Sequence, residues 1–279
     1  MKQNISILLI LVFSISFSFA QIPVNEYRKE INKLKSGSQL SDYWSKLYKI
    51  DQEILVHTSD IKMADSISIS NMIRTALVLE IHGIKAYNPN GFVPILNLSH
   101  NYIGQSQLAY WPIIERCAEV GGAIESFGGK YPAYQLESVS LTFYNYSLFQ
   151  QEEKYSKLLN KLGEIKTESV VDALLKAFNN QNKLRELSET EVLHYWYLQS
   201  SKDRIDKKTF SFVKMSDGNI YKKSYDRIQK LKLIKTNSES KIYQIENEPF
   251  DWKYIYRQNG DLTLVDDYKN ELIKYTIAK

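Results

Sequence analysis

The sequence predicts an α+β protein: an N-terminal all-helical domain followed by a small antiparallel β-sheet domain. Three observations carry this expectation. Apolar side chains recur at helical spacing from Tyr27 to about Tyr197, whereas beyond residue 208 they alternate with polar ones. Residues 200–208 between the two regions are polar and highly charged, as a linker would be. The dipeptides Asp217-Gly218 and Asn259-Gly260 are tight-hairpin signals.

Residues 1–20 read as a signal peptide. Lys2 is the only charge before an apolar and serine run from Ile5 to Phe19, and Ser18-Phe19-Ala20 offers small residues at both positions read by a signal peptidase. The run is shorter than the roughly 20 residues that span a bilayer, so cleavage before Gln21 is expected rather than a stable membrane anchor. Without those residues, 35 Lys and Arg face 32 Asp and Glu, a balance too mild to imply nucleic acid as partner. The charge is uneven, with 17 basic and 12 acidic side chains after residue 199. Cys117 is the single cysteine, so neither an intramolecular disulfide nor a thiolate zinc site is expected.

In the helical domain (21–199), Tyr27, Ile31 and Leu34 mark a first face, with Gly37 as its C-terminal cap and Ser41 capping the next helix. The second stripe is Trp44, Leu47, Tyr48, Asp51 and Leu55. Asp51 is anomalous there, because an unpaired carboxylate on an apolar face costs several kcal/mol. It reads either as a carboxylate paired to a neighbouring group or as a catalytic acid. Asp65 or Ser66 is the expected start of a third helix with Ile69, Met72, Ile73, Ala76 and Leu77 inward, ending at His82-Gly83. His82 there suits the negative end of the helix dipole, with a ligand role as the alternative.

Pro94 opens the most polar of the helical stretches, which Gly104 and Pro112 are expected to divide, the later helix running to about Val120. Leu96, His100, Ile103 and Gln107 fall on one face. A histidine on an apolar stripe is either a satisfied core residue or a general base with an orienting partner elsewhere in the chain. Residues 133–146 fit helix and strand equally. Further helices are expected before Gly163, after a Thr167 cap, and after the capping box Ser188-x-x-Glu191, the last carrying Val192, Leu193, Trp196 and Tyr197. The β domain (209–279) reads as a meander through the pairs Phe210/Phe212, Tyr243/Ile245, Tyr254/Tyr256, Leu262/Leu264 and Tyr275/Ile277. From residue 188 a winged-helix reading competes, with Tyr225, Ile228 and Leu231 on its recognition helix.

Residues 51–142 also resemble an uncharacterised bacterial protein family of unknown function. The resemblance rests on Asp51-Gln52, His82-Gly83, His100, Gln107 and Leu136-Glu137. Ser99 stands where the family has Gln, and Ser138-Val139 where it has Asp-Arg; its later Tyr-Gly-Thr-Gln element has no counterpart. The resemblance implies a helical domain in which Asp51, His100, Gln107 and Glu137 converge, and it implies no reaction.

Phosphate-cradling glycine loops, the Gly-x-Ser-x-Gly elbow, His-Glu-x-x-His and calcium loops are all missing from the sequence. The first expectation is therefore an exported cell-envelope protein, periplasmic or extracellular, that binds an envelope component, peptide or glycan without catalysis, cofactor or metal. The alternative is a hydrolase-like enzyme with His100 as acid or base and Asp51 or Glu137 as its orienter. Gln107, Gln52 and His82 are then the candidate ligand contacts.

Overall fold

The computed structural model describes residues 22–87, 93–101, 103–119, 152–164, 169–198, 210–224, 227–248, 250–266, 269 and 271–277. Among them, seven α-helices precede an eight-stranded antiparallel sheet, so the α+β class expected from the sequence holds. The signal-peptide segment, the linker, residues 133–146, Glu137 and Thr167 lie outside the described residues.

Helix α1 (Val24–Asn32) buries Tyr27 and Ile31. Gly37 does not cap it. Instead Gly37 is the first residue of α2 (Gly37–Lys49), and Ser36, not Ser41, is the N-cap. Ser36 and Gln39 form a reciprocal capping box, which satisfies two backbone N–H groups and outcompetes the later serine. Helix α2 widens into a π-turn at Ile50–Ile54 and tightens into a 3₁₀ turn at Leu55–His57. Trp44, Leu47, Asp51 and Leu55 all face inward, whereas Tyr48 is exposed.

Helix α3 (Ile61–His82) is the central element, in contact with α1, α4 (Val93–Ser99), α5 (Gly104–Glu119) and α7 (Val170–Arg185). It starts four residues earlier than expected, because Asp60 accepts the backbone N–H of Met63 and caps it. Asp65 is then an internal, buried position. The helix has buried residues on every side, so its polar residues must find partners inside. Asn97 donates to Thr75, Asn101 to Ser68 and Asn71 to the Leu47 carbonyl.

Pro112 does not divide α5, which runs through it. Tyr110, Trp111, Ile113 and Ile114 flank it and are all buried. That packing outweighs the roughly 3 kcal/mol that an internal proline costs a helix. Helix α6 (Glu152–Gly163) lies against α5, and Ser169 caps α7.

The sheet begins at residue 189, in place of the helix expected after Ser188. Strands β1 (Glu189–Leu198), β2 (Phe210–Met215), β3 (Ile220–Ser224), β4 (Arg227–Thr236), β5 (Ser240–Ile245), β6 (Lys253–Arg257), β7 (Leu262–Val265) and β8 (Glu271–Ile277) pair in sequence order. β1 then pairs with β8 through Trp196–Ile277 and Leu198–Tyr275, closing a barrel. Gly218 and Gly260 take positive φ in the β2–β3 and β6–β7 turns, as the two hairpin dipeptides require. The barrel interior is aromatic: Trp196, Phe210, Phe212, Tyr243, Tyr254 and Tyr275 cluster there. Cross-strand packing thus accounts for the tyrosines.

The winged-helix reading is overturned as well, since residues 227–236 form β4. Ile228 faces outward onto Val213, Met215 and Tyr221, against Leu184 and Leu187 beside α7, while Leu231 faces the barrel interior. The first half of β4 buries Ile228 on one face and Leu231 on the other, and that produces an apolar spacing of three that imitates a helix. Phe250, in the β5–β6 connection, adds a second anchor by packing into the helical core.

Candidate functional site

The site is built from two breaks in helices. The π-turn after α2 carries Asp51, and the residue that follows α4 is His100, whose backbone N–H still bonds the Leu96 carbonyl. The Nδ1 N–H of His100 donates to Asp51 Oδ1 at 2.7 Å. The Asp51 side chain is 1% exposed and that of His100 is 29% exposed. With Nδ1 committed to a buried carboxylate, the accessible edge of the imidazole carries Nε2. The hydrogen bond that His100 donates to Asp51 raises the His100 pKa above the usual imidazole value, outweighing partial burial, which acts the other way. Asp51 Oδ1 also accepts Gln52 Nε2 at 2.6 Å, and Oδ2 is buried without a hydrogen-bond partner among the described residues.

The turn that presents His100 is clamped from below. Gln107, in the first turn of α5, donates Nε2 to the carbonyls of Asn101 (2.7 Å) and Leu98 (3.2 Å), on either side of His100. Asn101 Oδ1 accepts the backbone N–H of Ile103 and the Ser106 hydroxyl, and its amide donates to Ser68 of α3. Gln107 is therefore a positioning residue, 1% exposed, with its amide nitrogen spent on backbone.

His100 lines a cavity of about 660 Å³ between the helical unit and the barrel. Leu55, Val56, Ile61 and Ala64 supply an apolar wall, while Arg185, Arg227 and Asp65 bring charge. Arg185, the last residue of α7, reaches Asp65 Oδ2 through one guanidinium nitrogen at 2.5 Å. Its other terminal nitrogen, Nη1, is buried with no hydrogen-bond partner among the described residues. Neither Arg185 nor Asp65 stands among the site residues expected from the sequence. The signal was legible, since Asp65 lies four residues before buried Ile69, as anomalous on a buried helix as Asp51.

The other expected site residues lie apart. His82 ends α3, and its Nε2 meets the Ile31 carbonyl at 2.9 Å, tying α3 to the end of α1. Gln52 touches the site only through Asp51. Glu137 lies outside the described residues. A second cavity of about 330 Å³, lined by Gln107, Gln229 and Glu248, does not include His100. At its barrel side Gln229 links Lys222 to Glu248. Lys222 lies over the rings of Phe210 and Tyr254, and burial holds its ammonium below the usual lysine range. Cys117 is buried, and its thiol is pushed up to about 12, which makes it inert. Among the described residues no cluster of three His, Cys, Asp or Glu could hold a metal ion.

No family model matches the chain, and no curated protein or solved structure does so either.

Proposed function

We propose that the protein is an exported, hydrolase-like enzyme whose acid–base residue is His100, oriented by Asp51. The observation that carries this reading is the 2.7 Å contact between a buried carboxylate and an imidazole that opens onto a cavity. In the step envisaged, His100 Nε2 takes a proton from a water molecule as the water oxygen bonds to an electrophilic acyl carbon. The imidazolium then returns that proton to the leaving group as its bond to the acyl carbon breaks. A raised imidazole pKa strengthens the base. The apolar signal segment supports export.

One observation favours a second reading, a non-catalytic binding protein of the cell envelope. Among the described residues, no hydroxyl or thiol donates to His100, so no protein nucleophile stands beside it. Water must then serve as nucleophile, or there is none. A panel of p-nitrophenyl acyl esters assayed with wild type, His100→Gln and Asp51→Asn separates the two. The enzyme reading expects either variant to lose about 10²–10⁴-fold in turnover with the fold intact. Turnover unaffected by His100→Gln, or no turnover of any ester by wild type, leaves the binding reading.

A further inference from the structure

The far half of β4 carries side chains that no core uses. Pairing between β3 and β4 stops at Ile220–Leu231, whereas β4 stays paired to β5 as far as Thr236–Lys241. Beyond Leu231, β4 is therefore an edge strand, and every residue from Lys232 to Thr236 is exposed. Leu233 is 50% and Ile234 42% exposed, beside a register shift between Leu233 and Lys235. Lysines and bulges commonly blunt a sheet edge, and Lys232, Lys235 and the register shift suit that purpose. Two neighbouring exposed aliphatic side chains work against it, so edge protection does not account for the pattern.

The charge on this hairpin is one-sided. Lys230 pairs with Glu246 at 3.5 Å. That leaves Lys232, Lys235 and Lys241 against the carboxylate of Glu239, and none of the three lysines has an ion pair among the described residues. The turn is also held in shape. Asn237 Oδ1 accepts the backbone N–H groups of Glu239 and Ser240, and the Glu239 carbonyl accepts the backbone N–H of Gln258 from beyond β6. A surface already ordered pays little to bind. Arg227 opens β4 at the cavity beside His100, and Thr236 ends the strand about 30 Å further on.

We infer that the β4–β5 hairpin is a docking surface for an anionic lipid bilayer, a property that goes beyond the reading of His100. Leu233 and Ile234 enter the interface, while Lys232, Lys235 and Lys241 meet lipid phosphates. Two aliphatic side chains are too little apolar surface for a protein partner, which needs about 800 Å² from each side, whereas a bilayer demands no matching shape. The protein thus rests on a membrane by its barrel tip, with the cavity held away from the lipid.

Cosedimentation with vesicles tests this, using protein without residues 1–20 so that their apolar run cannot itself bind lipid. Vesicles containing phosphatidylglycerol are expected to bind the protein, vesicles of phosphatidylcholine alone are not, and added salt is expected to release it. A Leu233→Ser, Ile234→Ser variant and a Lys232→Gln, Lys235→Gln, Lys241→Gln variant are each expected to bind at least about tenfold more weakly. All five positions are exposed, so both variants are expected to keep the wild-type urea midpoint and ester turnover. Ile234→Trp is expected to add fluorescence that brominated lipid quenches. No binding to phosphatidylglycerol vesicles, equal binding to both vesicle types, or an unquenched Ile234→Trp overturns the inference. So does binding lost with the lysines but kept by the serine variant, which assigns the patch to an acidic macromolecule instead. None of these outcomes bears on the His100→Gln ester assay, so the two readings fail separately.

Discussion

The helical unit and the barrel both have apolar cores, but the helical core holds many more buried polar side chains. Inside the helices lie Asp51, Asp65, Ser68, Asn71, Thr75, Asn97, Asn101, Ser106 and Gln107, all buried. The barrel buries mainly aromatic rings, with edge contacts such as Phe210–Tyr275 at 4.8 Å and Phe212–Tyr254 at 5.8 Å. Aromatic packing stabilises mainly through the area it buries, whereas a buried polar group stabilises only when its partner is in place. The polar interior therefore fixes positions, and the positions it fixes include the turn that holds His100. The barrel supplies mass, a wall of the cavity and Arg227.

The largest effect that separates the two regions is expected in the barrel. Trp196 is fully buried and donates Nε1 to the Gly260 carbonyl at 3.0 Å, so Trp196→Ala should cost about 3–5 kcal/mol in urea unfolding. A single transition in that experiment means that Phe250 and the Ile228 face couple the regions into one cooperative unit, whereas two transitions mean that they fold apart.

A smaller loss is expected from Gln107→Leu. It leaves the Leu98 and Asn101 carbonyls unpaired and should destabilise by about 1–3 kcal/mol, with a drop in any His100-dependent activity. Equal stability and activity would reduce Gln107 to packing.

Next comes a pH effect. The folded-state pKa of His100 is raised, so its stabilising contribution is fully present below about pH 6.5 and is lost as pH rises through the folded value. The stability gap between wild type and His100→Gln should accordingly narrow from pH 5.5 to 8, read from urea midpoints. Asp51, Asp65, Arg185 and Arg227 are the charged groups around it. The smallest effect belongs to the surface. Arg28 pairs with Glu80 at 2.6 Å, but both side chains are at least two-fifths exposed, and Arg28→Ala should cost less than about 1 kcal/mol.

How much of this was legible in the sequence follows the same divide. The strands flanked by Asp-Gly and Asn-Gly announce themselves, because alternation and turn chemistry are local. β1 does not. A register shift between Val192 and His194 interrupts the two-residue alternation, so Leu193, His194 and Trp196 all lean on the barrel aromatics at spacings that suit a helix. β4 is masked because its first half buries Ile228 and Leu231 on opposite faces. Barrel closure through β1 and β8 is a long-range event that no local pattern encodes. In the helical unit, Asp51 and His100 stood out as polar residues on apolar stripes, and of the two carboxylates offered to His100 from the sequence, Asp51 lies against it while Glu137 is outside the described residues. Gln107 was visible as a polar residue in that set, but its partners are backbone carbonyls, which leave no trace in residue identity. The Asp65–Arg185 pair spans 120 positions and was hidden by reading Asp65 as a helix start.

The most direct test of the account is an NMR titration of the four imidazoles in wild type and in Asp51→Asn, with His100→Gln assigning the resonance. His100 is expected to titrate above 6.5 in wild type and to fall when Asp51 loses its charge. A His100 resonance that titrates identically in both proteins would contradict it.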